Sequence, residues 1–370
     1  MTDLLQSPLH DLNEKLGASF TDFGGWNMPL KYGRELEEHR AVRERVGVFD
    51  LSHMGELSVR GRDAAAFLDY VLISQLSTLP VGKAKYSMIV NADGGIIDDL
   101  ITYRVADDEF LVVPNAGNQP AVWAAFSERA RERFPEADVH LENQSLDTAL
   151  IAVQGPSSVE LLAELVPAES QETLSGLSYY SAAPLAVAGV DTLVARTGYT
   201  GEDGFEVYVS KEQAPEVFRA IVDKLEAYEG AVCGLAARDS LRLEAAMPLY
   251  GHELNQDLTP VDAGLRVLVG KNKTGEFYGD QLRELATPQR KLVGLRGEGR
   301  RAARAGSALY VGDELVGEIT SGQLSPTLGY PIALAYVAAE YADEGTTIDA
   351  DVRGKRQPMT ICPRPFYKRG

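Results

Sequence analysis

Three short segments carry side chains whose types and spacing suit chemistry. The first, Ile96-Ile97-Asp98-Asp99-Leu100-Ile101, sets two carboxylates inside an apolar run. Side chains alternate across a strand, so Asp98 and Asp99 point to opposite faces and one of them is able to point inward. A carboxylate turned into an interior needs a donor or a shifted proton affinity, which makes it a site candidate. The competing reading is an edge strand with both acids in water. The second segment, Arg196 to Val209, spaces its glycines at 198, 201 and 204 and runs on into Phe205-Glu206-Val207-Tyr208-Val209. A dinucleotide fingerprint would need a helix after the glycines and a Walker loop a lysine, so a phosphate loop is excluded. Phe205, Val207 and Val209 share one face and Glu206 and Tyr208 the other, which aims Glu206 and Tyr199 at a cleft or at a polar outer surface. In the third segment, Cys233 to Ala245, Arg238 and Arg242 are four apart on a predicted helix and repel unless acids or an anionic ligand intervene. Asp239 is an internal remedy, whereas a carboxylate ligand suits the planar guanidinium fork.

Other chemistries thin out quickly. His10, His39, His53, His140 and His252 have no metal-ligand spacing, G-x-S-x-G is absent, and Cys233 and Cys362 carry no sign of activation.

Several elements must position these residues. Asp93-Gly94-Gly95 between two apolar runs predicts a hairpin, because glycine tolerates the positive φ of the turn. Helical periodicity is expected over 35–46, 62–71, 118–134 and 212–227, and strands over 56–59, 96–105, 109–113, 150–153, 192–196 and 205–209. Their irregular alternation favours α+β over a doubly wound parallel sheet. Beyond residue 280, apolar runs at 291–295, 308–311, 315–319 and 332–337 are separated by turn signals, predicting a small antiparallel barrel or sandwich.

The 370 residues support two or three domains. The chain carries 36 Lys plus Arg against 54 Asp plus Glu, a net charge of −18, which makes nucleic acid or an acidic membrane a poor partner. The charge is uneven: residues 281–370 hold 13 basic and 10 acidic side chains, a net of +3, against −21 for residues 1–280. Two modules, 1–280 and 281–370, are therefore expected. Two unpaired cysteines, no basic leader and no run of roughly 18 apolar residues lead us to expect a cytoplasmic protein without a membrane span.

Taken together, the segments resemble the glycine cleavage system T protein family, the tetrahydrofolate-dependent aminomethyltransferases, over nearly the whole chain. The resemblance rests on Phe23-Gly24-Gly25-Trp26-Asn27-Met28-Pro29, Gly47-Val48-Phe49-Asp50-Leu51-Ser52-His53-Met54-Gly55, the Asn91 to Leu100 hairpin, Val153-Gln154-Gly155-Pro156, the Arg196 to Glu206 segment, the Arg238 to Glu244 helix and Thr259-Pro260-Val261-Asp262-Ala263-Gly264-Leu265. It implies three domains in a cloverleaf around a central folate pocket, two interleaved α+β units followed by a C-terminal antiparallel β-barrel. It further implies transfer of the methylene of an aminomethyl group from the lipoyl arm of H protein to tetrahydrofolate, with neither metal nor flavin.

By motif match, Asp99 stands at the family's essential aspartate, near the reacting N5–N10 edge of folate. The resemblance assigns Glu206 to the guanidine-like edge of the pterin and Arg238 to the glutamyl carboxylates. Tyr199 and Tyr86 are to pack against or bond the folate, with Asn115 and Met54 as further contacts. Tyr367 and Arg369, in a tail that resembles the family's, are expected to approach the pocket. Val267 departs from the pattern: relatives often carry an aromatic residue there, so a stacking contact is lost if that residue lies on folate. The alternatives are a folate-dependent demethylase of a small methylated substrate and a non-catalytic folate-binding protein. Flavin-linked relatives would need a dinucleotide-binding domain for which the chain has no room.

Overall fold

Residues 4–269, 273–285 and 288–370 are described by the structure, a computed structural model. The hairpin predicted from the Asp93-Gly94-Gly95 turn forms, and the body is built on two sheets. In the first, Ala84–Val90 pairs with Ile96–Ala106 around Gly94, whose φ is 85°. Its five strands run in the order Ala84–Val90, Ile96–Ala106, Glu109–Pro114, Leu57–Arg60, His140–Asn143. Ile96–Ala106 is therefore an interior strand, which removes the wet-edge reading of its two acids. The second sheet has six strands, in the order Ala182–Val187, Val190–Ala195, Gly204–Ser210, Thr148–Gln154, Gly47–Asp50, Ala231–Cys233.

Each sheet buries both faces. On the outer face of the five-stranded sheet, Phe67 from helix Ala64–Val71 and Phe126 from helix Gln119–Arg133 pack with Leu57, Val59 and Val112. On the outer face of the six-stranded sheet, Val217, Phe218 and Ile221 from helix Ala214–Val222 pack with Val48, Ile151, Phe205 and Val207. The inner faces meet in a third core, where Tyr103 and Val113 of one sheet pack with Leu150, Ala152, Ala195 and Tyr208 of the other. Burial on both sides explains why Leu150-Ile151-Ala152-Val153 reads as an unbroken apolar run instead of an alternating one.

Six antiparallel strands from Arg290–Gly297 to Lys355–Cys362 close into a barrel, with the first strand pairing to both Pro331–Ala338 and the last. Closure leaves no edge, which settles the choice between barrel and sandwich. Ahead of the barrel, Leu282 still packs with Met88, Val90 and Ile96 of the five-stranded sheet. Helix Leu235–Glu244 lies between the body and the barrel: Leu241 is in the inter-sheet core, and Leu243 packs with Leu334 and Tyr336 of the barrel. No described helix is long and apolar enough to cross a membrane.

Candidate active site between the two sheets

A cavity of about 230 Å³ opens in the inter-sheet seam, lined by Met54, Tyr86, Asp99, Asn115, Tyr199, Glu206 and Arg238 among others. Strand register brings these distant residues together. Tyr86 pairs opposite Ile101, and Asp99 lies two residues away on the same face of that strand. Glu206 is opposite Ala152 and Ala195 on the facing sheet. Arg238 reaches in from the middle of helix Leu235–Glu244.

The two adjacent acids part as strand geometry requires, and both are withdrawn from water to different degrees. Asp98 is fully buried and accepts the Asn115 backbone N–H at 2.8 Å, Asn115 Nδ2 at 2.9 Å and Asn118 Nδ2 at 2.6 Å. Burial and the neighbouring Asp99 raise its pKa well above the ordinary carboxyl value against the pull of these donors. Asp99 is half-buried at the cavity wall, taking the Tyr86 hydroxyl on Oδ2 at 2.8 Å and Asn115 Nδ2 on Oδ1 at 3.0 Å. Burial lifts Asp99 to about 6, with the Tyr86 and Asn115 bonds opposing the rise. It therefore titrates close to neutrality.

Glu206 uses one oxygen only: Oε2 accepts from the hydroxyls of Thr197, Tyr103 at 3.2 Å and Tyr208 at 3.5 Å, while Oε1 accepts nothing among the described residues. A donor array in the cavity can bond to Oε1. Arg238 is the other uncommitted charge. Its guanidinium lies 4.6 Å from the centroid of the Tyr199 ring and makes no hydrogen bond or ion pair among the described residues. Burial lowers its pKa, and its donors remain available to an anion. Arg242, one turn on, is satisfied internally by Asp239 at 2.7 Å, Glu253 at 3.0 Å and Ser321 Oγ at 2.8 Å. The two arginines thus take the two alternatives that their spacing leaves open.

Several expected contacts are refined by the geometry. The Tyr86 hydroxyl is committed to Asp99 and that of Tyr199 to the Pro248 carbonyl, so both tyrosines offer a ring face and not a spare donor. The Asn115 amide is spent on Asp98 and Asp99, which makes it an orienting group for the acids. Tyr367 and Arg369 do not line the cavity. The Tyr367 ring stacks 4.0 Å from the Arg43 guanidinium and its N–H bonds the Glu244 carbonyl, while Arg369 lies 3.6 Å from Asp203 and 6.0 Å from the Tyr179 ring. The cation of Arg43, buried beneath the tail, holds that aromatic ring away from the cavity. Val267 is 83% exposed and also lies outside the cavity lining.

Sequence reasoning missed His53, Tyr180 and the stretch Met247 to Tyr250, which complete the walls. His53 is buried edge-on to Phe23, with Nδ1 unpartnered, and burial followed by the nearby Arg238 lowers its pKa to about 3. A neutral imidazole is what a cavity already holding a guanidinium admits. Its position inside Gly47 to Gly55 was the available signal. Tyr250 had none, because its hydroxyl reaches the Ile96 carbonyl across 154 residues.

A two-sheet α+β body with carboxylates and an uncommitted guanidinium in its seam, followed by a C-terminal barrel, marks a barrel-bearing α+β protein with a binding site for a small polar ligand. Residues 9–273 match the GCVT N-terminal domain family and residues 290–368 the glycine cleavage T-protein C-terminal barrel domain. The chain belongs to the glycine cleavage T-protein family of aminomethyltransferases. It is 55% identical to an aminomethyltransferase of Corynebacterium aurimucosum over 100% of both chains, and 48% identical to one of Streptomyces coelicolor over 100% of this chain and 99% of the other. Among solved structures, the glycine cleavage system aminomethyltransferase T of Bartonella henselae superposes with a TM-score of 0.89 at 35% identity, covering 99% of this chain and 98% of that one.

Proposed function

We propose that this protein transfers the methylene of an aminomethyl group, carried on the lipoyl arm of H protein, to tetrahydrofolate in the cytoplasm. The methylene exchanges its bonds to nitrogen and sulfur for bonds to N5 and N10 of folate. The two protons released from those nitrogens leave with ammonia and the dihydrolipoyl thiol, so no oxidant is required.

One observation carries this reading: the seam cavity holds an uncommitted guanidinium, Arg238, together with Asp99 and a Glu206 oxygen that accepts no bond among the described residues. A folate presents complementary groups, with anionic carboxylates at one end and a guanidine-like donor edge at the other. The cavity is smaller than the ~300–1,000 Å³ that encloses a whole drug-sized ligand. It therefore suits the ring head, with the anionic tail running outward past Arg238. Tyr86 and Tyr199 supply ring faces for that head. Asp99, as the carboxylate, favours the positive charge that develops on N5 as it becomes bonded to carbon. Direct proton abstraction is not needed for that role.

The decisive experiment supplies aminomethylated H protein and tetrahydrofolate and follows ammonia release. We expect H-protein-dependent release that is abolished in Asp99→Asn with folate binding largely retained. Arg238→Met should weaken folate binding by roughly 10- to 150-fold, the equivalent of one hydrogen bond to a charged group at about 1.5–3 kcal/mol. Full ammonia release by Asp99→Asn, or turnover of a small methylated substrate without H protein, overturns the proposal.

A further inference from the structure

A second cavity of about 570 Å³, more open to solvent, shares Tyr208 with the lining of the first. We infer that this second cavity binds an aliphatic amine carrying at least two ammonium groups. Its charged lining is wholly acidic: Glu109, Glu142, Asp147 and Asp191, with no lysine, arginine or histidine. Glu142 and Asp147 are paired with Arg60 and with Lys211, whereas the carboxylates of Asp191 and of Glu109, which stands across the sheet from Arg60, make no ion pair or hydrogen bond among the described residues.

An acidic rim alone would be an ordinary solvated surface. Ser58 makes the difference: it lines the cavity, is only 4% exposed, and its Oγ has no hydrogen-bond partner. A buried hydroxyl left unpaired at a cavity wall costs free energy that a ligand N–H can recover.

The chemistry of the walls narrows the ligand. Among the described residues no three metal-ligating side chains converge on a point, and the space far exceeds a bare ion. Beside the carboxylates, the wall carries the apolar Val105, Leu111 and Leu193 and the ring of Tyr208, together with the uncharged polar Gln144 and Thr148. Several anions sharing a wall with apolar side chains match ammonium heads joined by methylenes. With no cation in the lining, an amino acid or other carboxylate-bearing amine is disfavoured.

The test is calorimetric titration of the full-length protein with 1,4-diaminobutane at constant ionic strength, alongside butylammonium, ammonium chloride and 1,4-butanediol. Saturable one-to-one binding of the diamine is expected, at least tenfold tighter than ammonium, with none for the diol. The double variant Glu109→Gln, Asp191→Asn alters two partially or fully exposed side chains and should fold normally, yet weaken the diamine at least tenfold. Ser58→Ala should weaken it severalfold, with folate binding unchanged in both. Diamine binding weaker than ~1 mM, equal affinity in the double variant, or ammonium matching the diamine would each overturn the inference.

Discussion

At the scale of single residues, the role proposed for Asp99 makes its proton affinity the quantity on which activity turns. Burial holds its pKa at about 6, and the hydroxyl of Tyr86 is the first of the bonds restraining it from rising further. In that proposed role the carboxylate is the form that stabilises positive charge on the folate nitrogen, so kcat/KM for ammonia release should climb with pH through about 6 and level above it. Removing the Tyr86 hydroxyl takes away a bond that favours the charged form. Tyr86→Phe should therefore move that limb to higher pH. A pH–rate profile of Tyr86→Phe that superposes on the parent, or is displaced toward acid, would show that this bond does not set the affinity.

At the scale of elements, Gly198 and Gly204 of the Arg196 to Glu206 segment serve a side chain and not a phosphate. A Cβ on Gly198 would lie 2.0 Å from Gln154 Oε1, and one on Gly204 2.5 Å from Gln154 Cδ. That glutamine is buried, donates to the Thr197 carbonyl at 3.1 Å and accepts the Thr200 hydroxyl at 2.9 Å, so it fixes the turn that carries Tyr199. Gly198→Ala should displace Gln154, lower the thermal midpoint and weaken folate binding together; a variant with parental stability and binding would refute this account. The sequence made the strand legible through the alternation of Phe205, Val207 and Val209, and excluded a phosphate loop, but the partner of the glycines lies 44 residues upstream of Gly198 and leaves no local mark. The acids were legible in the same measure. Alternation separates Asp98 from Asp99, yet which one meets the cavity depends on the facing sheet. The last barrel hairpin, Thr347–Val352 with Lys355–Cys362, escaped because Lys355-Arg356-Gln357-Pro358 looks like a loop, although Ile348, Ala350, Met359 and Ile361 alternate into the barrel core. Arg238 and Arg242 are alike in type and both lie near Asp239 in sequence, and which of them takes that acid becomes visible only with Glu253 and Ser321, brought in from elsewhere to complete the partners of Arg242.

At the scale of the whole molecule, the barrel holds the cavity's arginine in place from behind. Helix Leu235–Glu244 presents Arg238 to the seam and, less than two turns later, plants Glu244 in a fully buried junction with the barrel. Glu244 accepts the Thr327 N–H at 2.9 Å, the Thr327 hydroxyl at 2.8 Å and the Ser325 hydroxyl from the barrel side. From the body, Arg43 reaches it at 2.9 Å and His39 Nε2 at 3.2 Å. Burial alone would raise this carboxyl, but the bonds from His39, Ser325 and Thr327 override it and hold the pKa at about 2. A carboxyl depressed from 4.5 to about 2 contributes stability that is fully present above 4.5 and is lost as pH falls through 2. Glu244→Gln should accordingly cost about 1.5–3 kcal/mol near neutral pH, the worth of hydrogen bonds to a charged group, because Arg43 keeps its pair with Glu202 at 2.9 Å. Its unfolding free energy should also vary less than the parent's between about pH 4.5 and pH 2. Because the same helix carries Arg238, the folate dissociation constant should rise in this variant even though Glu244 lies outside the cavity lining. Denaturant titrations across that pH window, paired with folate binding at neutral pH, measure both effects. Loss of stability with unchanged folate affinity would mean that the barrel braces the body without positioning the site.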